Sequence, residues 1–313
     1  MLPVIFSVGT LSISSFGVFL GLAFLAAIYV CWKMARLYEI DEERILDLGI
    51  LAFFGGMIGA RLYFVLTHLA LFDNLQKIVL ISRYPGLSLW GGLTGGILAL
   101  WFFSSRSKLN FWQLADFAAA GLLLALSLGD LGCLLGGCYY GQVSGSFLAT
   151  SVAGVIGKRF PLAALESLTL LLAYFWVGKQ VVRYHFAGKI IAVVLLILGS
   201  VKFIFEFFRG DAIYLASIGI SEGHLWSIGS LAVGLAIFYN RSKRSFFDDS
   251  AALVNLPFSP KKRKAVLLYL RKNWYNFVVD WRIKGAKLGE FLKLAPKNLK
   301  RRLNVKSTPK NLS

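Results

Sequence analysis

The chain has 313 residues, 57% of them hydrophobic, a mean hydropathy of +0.66 and a formal net charge of +18. A soluble domain of this length does not need so much apolar surface, so the composition excludes an ordinary water-soluble fold and points to an integral membrane protein. Three cysteines are too few for a disulfide framework.

The opening Met1-Leu-Pro-Val carries no early Lys or Arg, and no small-residue cleavage site stands out after it. The first apolar segment is therefore expected to persist as a helix rather than be removed. A crossing takes about 20 apolar residues. Seven spans are expected: Phe16–Met34, Leu46–Leu69, Leu87–Phe103, Phe111–Leu128, Pro161–Gly178, Ala187–Phe208 and Ser221–Asn240. The expected fold class is thus all-α and polytopic. Cys31, inside the first span, reads as packing. The third span is short, and its GGLTGG favours close helix packing over lipid exposure.

Between the fourth and fifth spans lies Gly129–Gly141, GDLGCLLGGCYYG. It is too glycine-rich to read as an ordinary spanning helix. A turn between helices would explain it, as would a place where a ligand's polar head meets backbone. Cys133 and Cys138 have four residues between them and no histidine nearby, which is not a zinc spacing. A disulfide between them would need an oxidising compartment.

Lys and Arg set the orientation. With the N-terminus outside, Lys33, Arg36, Arg44, Arg106, Lys108, Lys179, Arg183 and Lys189 fall inside, together with 19 basic residues after Asn240. Only Lys77, Arg83, Lys158, Arg159 and Arg209 fall outside. The expectation is N-out and C-in, with Gly129–Gly141 at the outer face. Domain organisation follows: a membrane domain over 1–240 and a basic cytoplasmic tail over 241–313. That tail holds 19 basic and 4 acidic residues. Its KKRK run at Lys261–Lys264 precedes a stretch where apolar and aromatic residues alternate with charges, so anionic inner-leaflet lipid is the expected partner and nucleic acid is not.

Ionisable residues inside spans are costly and face a partner or a purpose. Arg61, Asp116, Glu166, Lys202 and Glu206 qualify, with Arg209 at the edge. Lys202, Glu206 and Arg209, in KFIFEFFR, share one helix face. Two cations flanking an acid could hold a lipid phosphate, or could form an ion pair locking two helices. Arg61 sits about midway through the second span, too deep for simple snorkelling. Asp116 is expected to cap or complement a helix N-terminus; Glu166 is open to either reading.

Several stretches, in this order, resemble the bacterial prolipoprotein diacylglyceryl transferases: PVIFSVGTLSI, GGMIGARLYFVL, YPGLSLWGGLTGG, LADFAAAGLLLALSLGDLGCLLGGCYYG, FPLAALES, VKFIFEFFRGD and GHLWSIGSL. The resemblance covers roughly Leu2–Asn240 and implies a seven-span inner-membrane enzyme. Such enzymes move diacylglyceryl from phosphatidylglycerol to the cysteine thiol of a lipoprotein precursor and release glycerol phosphate. No metal or organic cofactor is implied; the partners would be phosphatidylglycerol and the precursor's signal peptide. Arg61, Glu206 and Arg209 match polar residues of the family, and Gly91, Gly92, Gly132, Gly137 and Gly141 match its glycines. The resemblance thus assigns Arg61, Lys202 and Arg209 to the phosphate, Glu206 to orientation or proton transfer, and the glycines to the lipid head group.

This chain departs from the pattern at several motif positions. Trp90 stands where the third-span motif has histidine, and Asp130 where the signature has arginine. Cys133 and Cys138 take its asparagine and glutamate positions, Lys202 the sixth-span arginine, and Phe16 the first-span tyrosine. Two other readings accommodate these departures: a non-catalytic lipid-binding relative, or a phospholipid-using transferase of altered acceptor with Cys133 or Cys138 as nucleophile.

The charge asymmetry makes the orientation testable. A reporter fused after Asn240 should be cytoplasmic, and one inserted in Ala70–Gly86 external; the reverse pattern would place the proposed site in the wrong leaflet.

Overall fold

The computed structural model describes residues 4–8, 11–79, 84, 86–152, 155–182, 185–212, 220–247, 249–250 and scattered positions between 264 and 279. The amphipathic reading of the tail falls largely outside the described residues. Residues 1–243 form one compact unit and residues 244–313 another.

The first unit opens with an antiparallel hairpin, β1 (Val4–Val8) and β2 (Leu11–Ser14). Helix α1 (Ser15–Leu37) follows, then α2 (Glu42–Thr67), a 3-10 turn (Leu69–Leu71) and the short α3 (Leu75–Val79). Helices α4 (Leu89–Ser107) and α5 (Phe111–Gly136) lead to a two-residue antiparallel pair, β3 (Thr150–Ser151) with β4 (Lys158–Arg159). Helices α6 (Leu162–Val181), α7 (Lys189–Glu206) and α8 (Glu222–Ser242) complete it. Side chains just before the first turn start five of these helices: Ser14, Asp41, Ser88, Asn110 and Ser221 each accept a backbone N–H of the turn that follows.

A long helix occupies each of the seven stretches expected to be helical. Four of them, α1, α2, α5 and α6, are long and apolar enough to cross a membrane on length and composition. The surface of α2 shows why lipid suits it. Phe54, Ile58, Leu62 and Leu66, four residues apart, form one exposed apolar stripe. Gly55 and Gly59 lie against α4, where a Cβ on Gly59 would strike the carbonyl of Gly91 and one on Gly95 the carbonyl of Gly55. With lipid tails as apolar as leucine, such close backbone packing is a main source of helix association.

Helix α5 is the hub, packed on α1, α6 and α7. Phe117 and Leu123 of α5 pack with Leu170 and Val177 of α6 and Val194 and Leu198 of α7. Ser127 and Ser167 each donate to the other's backbone carbonyl, at 2.9 and 2.8 Å, stitching α5 to α6. Asp116 is a cap, but for a neighbouring helix. Its two oxygens accept the Gly188 and Ile191 N–H groups at 2.8 Å each, where α7 begins, with His185 Nε2 3.6 Å away.

One expectation is corrected. Most of Gly129–Gly141 is not a turn: α5 runs on through Gly136. Gly132 and Gly136 lie against α1, where a Cβ on Gly132 would come within 2.6 Å of Phe19 and one on Gly136 within 3.3 Å of Phe16, while a Cβ on Gly129 would meet nothing within 4 Å. Close packing outweighs glycine's low propensity, which costs about 1 kcal/mol per residue. The helix ends at Gly137, whose φ of +73° admits glycine readily.

Because Asp116 caps α7 from another helix, its loss should separate the two. Asp116→Ala is expected to cost ~2 kcal/mol or more and to lower the thermal midpoint in detergent. Asp116→Asn keeps one acceptor oxygen and should lose less.

Candidate functional site

The charged residues of α5, α6 and α7 meet in one place. Lys202 Nζ, on α7, donates to Glu166 Oε2 of α6 at 2.6 Å and lies 3.9 Å from Asp130 Oδ1 of α5. Tyr139, just past the end of α5, donates its single hydroxyl proton toward both carboxylates, Glu166 Oε2 at 2.7 Å and Asp130 Oδ1 at 3.0 Å. Burial, then the two neighbouring carboxylates, pushes the Tyr139 phenol well up, so it keeps that proton. Asp130 Oδ2 is buried and has no hydrogen-bond partner among the described residues. Lys202 is therefore paired with α6 and α5 rather than with Glu206 on its own helix.

Glu206, the last residue of α7, and Arg209 just beyond it form a second group. Arg209 Nη1 lies 3.4 Å from Glu206 Oε2, and its Nε donates to Asp211 Oδ1 at 2.9 Å. The guanidinium also sits 5.6 Å from the Tyr139 ring centroid, with Lys202 Nζ at 5.7 Å, so one aromatic ring borders both cations. The Arg209 side chain is 36% exposed, and its guanidinium carries N–H groups beyond those these two bonds use. Its backbone is held by an antiparallel bridge to Gly141, flanked by Gln142 N–H to Phe208 O and Gly210 N–H to Tyr140 O. Gly141 is needed there, since a Cβ would lie 2.5 Å from the Phe160 carbonyl.

Ser221 and His224, which sequence reasoning did not single out, complete this group. Ser221 Oγ donates to Glu206 Oε1 at 2.9 Å and lies 2.7 Å from His224 Nδ1. His224 is 9% exposed, with Phe203 and Phe207 meeting its ring edge-on at 5.0 and 4.5 Å. A Cβ on Gly223 would collide with the Glu206 carboxylate, so this glycine lets α8 approach it. The sequence signal was a polar pair, Ser221 and His224, flanking the start of an apolar span, readable as nothing more than a helix cap.

The remaining expected residues lie in other surroundings. Arg61 is buried and already holds three backbone carbonyls: Ile78 at 2.8 Å, Gly86 at 2.9 Å and Lys77 at 2.6 Å. It pins the segment that joins α2 to α4. Gly91 and Gly92 lie in the α2–α4 contact and Gly132 in the α1–α5 contact. Trp90 stacks on Trp226 of α8 at 5.8 Å, and Trp226 Nε1 donates to Tyr63 OH, which donates to Glu222 Oε1. Beside them Tyr63, Thr67, Glu222, Leu225, Trp226 and Gly229 line a cleft of about 540 Å³. Cys133 and Cys138 are free thiols. The Cys138 N–H returns to the Cys133 carbonyl across the helix end, 3.3 Å away.

A family profile described as prolipoprotein diacylglyceryl transferase matches residues 3–240. The phosphatidylglycerol–prolipoprotein diacylglyceryl transferase of Clostridium tetani is 24% identical over 247 residues, covering 76% of this chain and 97% of that protein. The protein of the same description from Pseudoalteromonas atlantica is 29% identical over 277 residues, covering 84% and 96%. That of Streptococcus pneumoniae strain JJA is 27% identical over 254 residues, covering 78% and 97%.

Removing one member of a buried ion pair leaves a charge without compensation, at a cost of ~3–5 kcal/mol. Lys202→Met should therefore lower the thermal midpoint strongly. Adding Glu166→Gln and Asp130→Asn to it should recover most of the loss. A neutral Lys202→Met would show that the cluster is open to water.

Proposed function

The chain belongs to the prolipoprotein diacylglyceryl transferase family, and on that premise we propose that it moves diacylglyceryl from phosphatidylglycerol to a cysteine thiol of a lipoprotein precursor. It would work as a seven-span protein of the bacterial inner membrane, N-terminus outside, with the basic tail against anionic lipid of the inner leaflet. The observation that carries the reading is Arg209. Its partly exposed side chain is steadied by Glu206, Asp211 and the Tyr139 ring.

The reaction is a displacement at the glyceryl carbon. The thiolate sulfur attacks, the carbon–oxygen bond to phosphate breaks, and glycerol phosphate leaves with the electron pair. Negative charge grows on that phosphate, so a preorganised cation beside it lowers the barrier. In our reading Arg209 holds the phosphate and Glu206 orients Arg209. Lys202 works from behind, offsetting Glu166 and Asp130 so that their charge does not repel the lipid. Arg61 is spent on the carbonyls of Lys77, Ile78 and Gly86, so in our reading it fixes the segment between α2 and α4 rather than holding the phosphate, as the resemblance implied, and the glycines set how near the helices come. Asp130 adds negative charge where the family carries arginine, which leaves the phosphate more dependent on Arg209.

Own-cysteine nucleophiles suit this chemistry poorly. Cys133 or Cys138 would form a thioether with the glyceryl carbon, and a thiolate departs badly from such a carbon.

The test is transfer from phosphatidylglycerol to a cysteine-bearing peptide by the purified full chain, with thermal stability followed on the same samples. Phosphatidylglycerol should stabilise the protein, and Arg209→Ala should erase that gain and slow transfer by about 10²–10³-fold. Lys202→Arg should retain both, because it keeps the charge and adds a two-pronged donor. Stabilisation without transfer selects the non-catalytic lipid-binding reading. Transfer only to another thiol selects the altered acceptor. With neither effect, the phosphate site is wrong.

A further inference from the structure

Thiol transfer needs a proton acceptor, because a cysteine of pKa about 8.5 is mostly protonated at neutral pH. Trp90 offers none, since an indole only donates. The carboxylates of the site are committed. Glu166 is held by Lys202 and Tyr139, Glu206 by Ser221 and Arg209, and Asp211 by Arg209. Asp130 keeps a bare Oδ2, but as a counter-ion of Lys202 it would lose that attraction on taking a proton.

His224 is placed differently. Its Nε2 is buried and has no hydrogen-bond partner among the described residues. Its Nδ1 faces Ser221 Oγ, which has one proton to give and lies 2.9 Å from a Glu206 oxygen. An ionised carboxylate can only accept, so the serine proton goes to Glu206. Ser221 must then accept from the imidazole. This fixes the tautomer with hydrogen on Nδ1 and leaves Nε2 with a free lone pair in the interior. A buried polar nitrogen without a partner costs free energy, and a structure that keeps one invites a use for it.

We propose that His224 Nε2 takes the proton from the acceptor thiol, with Ser221 and Glu206 as the relay that orients the ring and stabilises its charged form. The assignment rests on the transferase reading above. The thiol proton passes to Nε2, sulfur bonds to the glyceryl carbon, and glycerol phosphate leaves with the carbon–oxygen electron pair. The proton then goes to the departing phosphate or to water, which restores the neutral ring. The charged groups facing His224 are Glu206, through Ser221, and Arg209 behind it. Glu222 on the same helix is turned to Tyr63 of α2. An imidazolium would therefore be balanced by Glu206 through two hydrogen bonds, the arrangement that makes a buried histidine an effective base.

The test uses the full chain in phosphatidylglycerol-containing nanodiscs and a cysteine-bearing peptide, with transfer followed from pH 6 to 9.5. His224→Gln should slow transfer by about 10²-fold or more at pH 7. The deficit should narrow toward pH 9.5, where the peptide thiol ionises unaided. Ser221→Ala, which keeps the ring, should cost about tenfold. Nitrogen NMR of the histidine-labelled unmodified chain should show hydrogen on Nδ1 of His224. Three results would overturn the proposal: His224→Gln within twofold of the unmodified chain at pH 7, an equal deficit at every pH, or hydrogen on Nε2. The NMR arm holds even if the glutamine variant fails to fold. Absence of transfer by the unmodified chain would instead sink the transferase reading itself.

Discussion

A lysine ammonium inside an apolar helix bundle is the constraint on which this molecule depends. Leaving water costs an ion several kcal/mol, and only close, well-aimed partners offset it. Lys202 finds Glu166 at 2.6 Å and Asp130 at 3.9 Å, on two other helices. Three helices are thereby fixed at one depth. The Tyr139 hydroxyl, shared between the same carboxylates, brings the segment after α5 into the knot. Arg209, Gly141 and Gly210 follow from that placement, because their backbone pairing requires the end of α5 and the end of α7 to lie side by side.

The far end of α7 is anchored by another charge. Asp116 caps it from α5, so α7 is tied to its neighbours at both termini by carboxylates that lie elsewhere in the chain. Between these anchors α7 can present Glu206 to Ser221 and His224 of α8. Two of the departures that the resemblance implies also meet in the fold: Asp130 and Lys202, read from sequence as a reversed charge and a lost bidentate donor, are neighbours of opposite sign.

Much of this was legible in the sequence. The seven apolar stretches appear as helices, four of them long and apolar enough to cross a membrane, where the backbone must be hydrogen-bonded internally. The close approach of α2 and α4 was visible in GGLTGG. Spacing could not show which partner a charge would choose. Lys202 and Glu206 are four residues apart and suited to pairing along one helix, yet Lys202 is drawn to Glu166, 36 residues earlier in the chain. Gly129–Gly141 misled for a related reason. Local propensity counts glycines as breakers, while the packed surface of α1 makes Gly132 the residue that fits. His224 was missed because a polar residue near a helix start has an ordinary explanation. Only the third dimension reveals that its buried Nε2 has no hydrogen-bond partner among the described residues.

The α2–α4 contact has a mechanical corollary. These two helices press backbone against backbone along a run of glycines, and separating them would forfeit that whole surface. Their attachment to α8 is of another kind: the Trp90–Trp226 stack, the Trp226–Tyr63 hydrogen bond and the Tyr63–Glu222 hydrogen bond, all beside an open cleft. Such contacts contribute about 1 kcal/mol apiece and can be remade one by one. Under stress the seam between α2 and α8 should therefore yield first, while the pair stays fixed to α1 and α5 through Ile45, Leu48 and Leu100 packed with Ala35, Leu114 and Ala115.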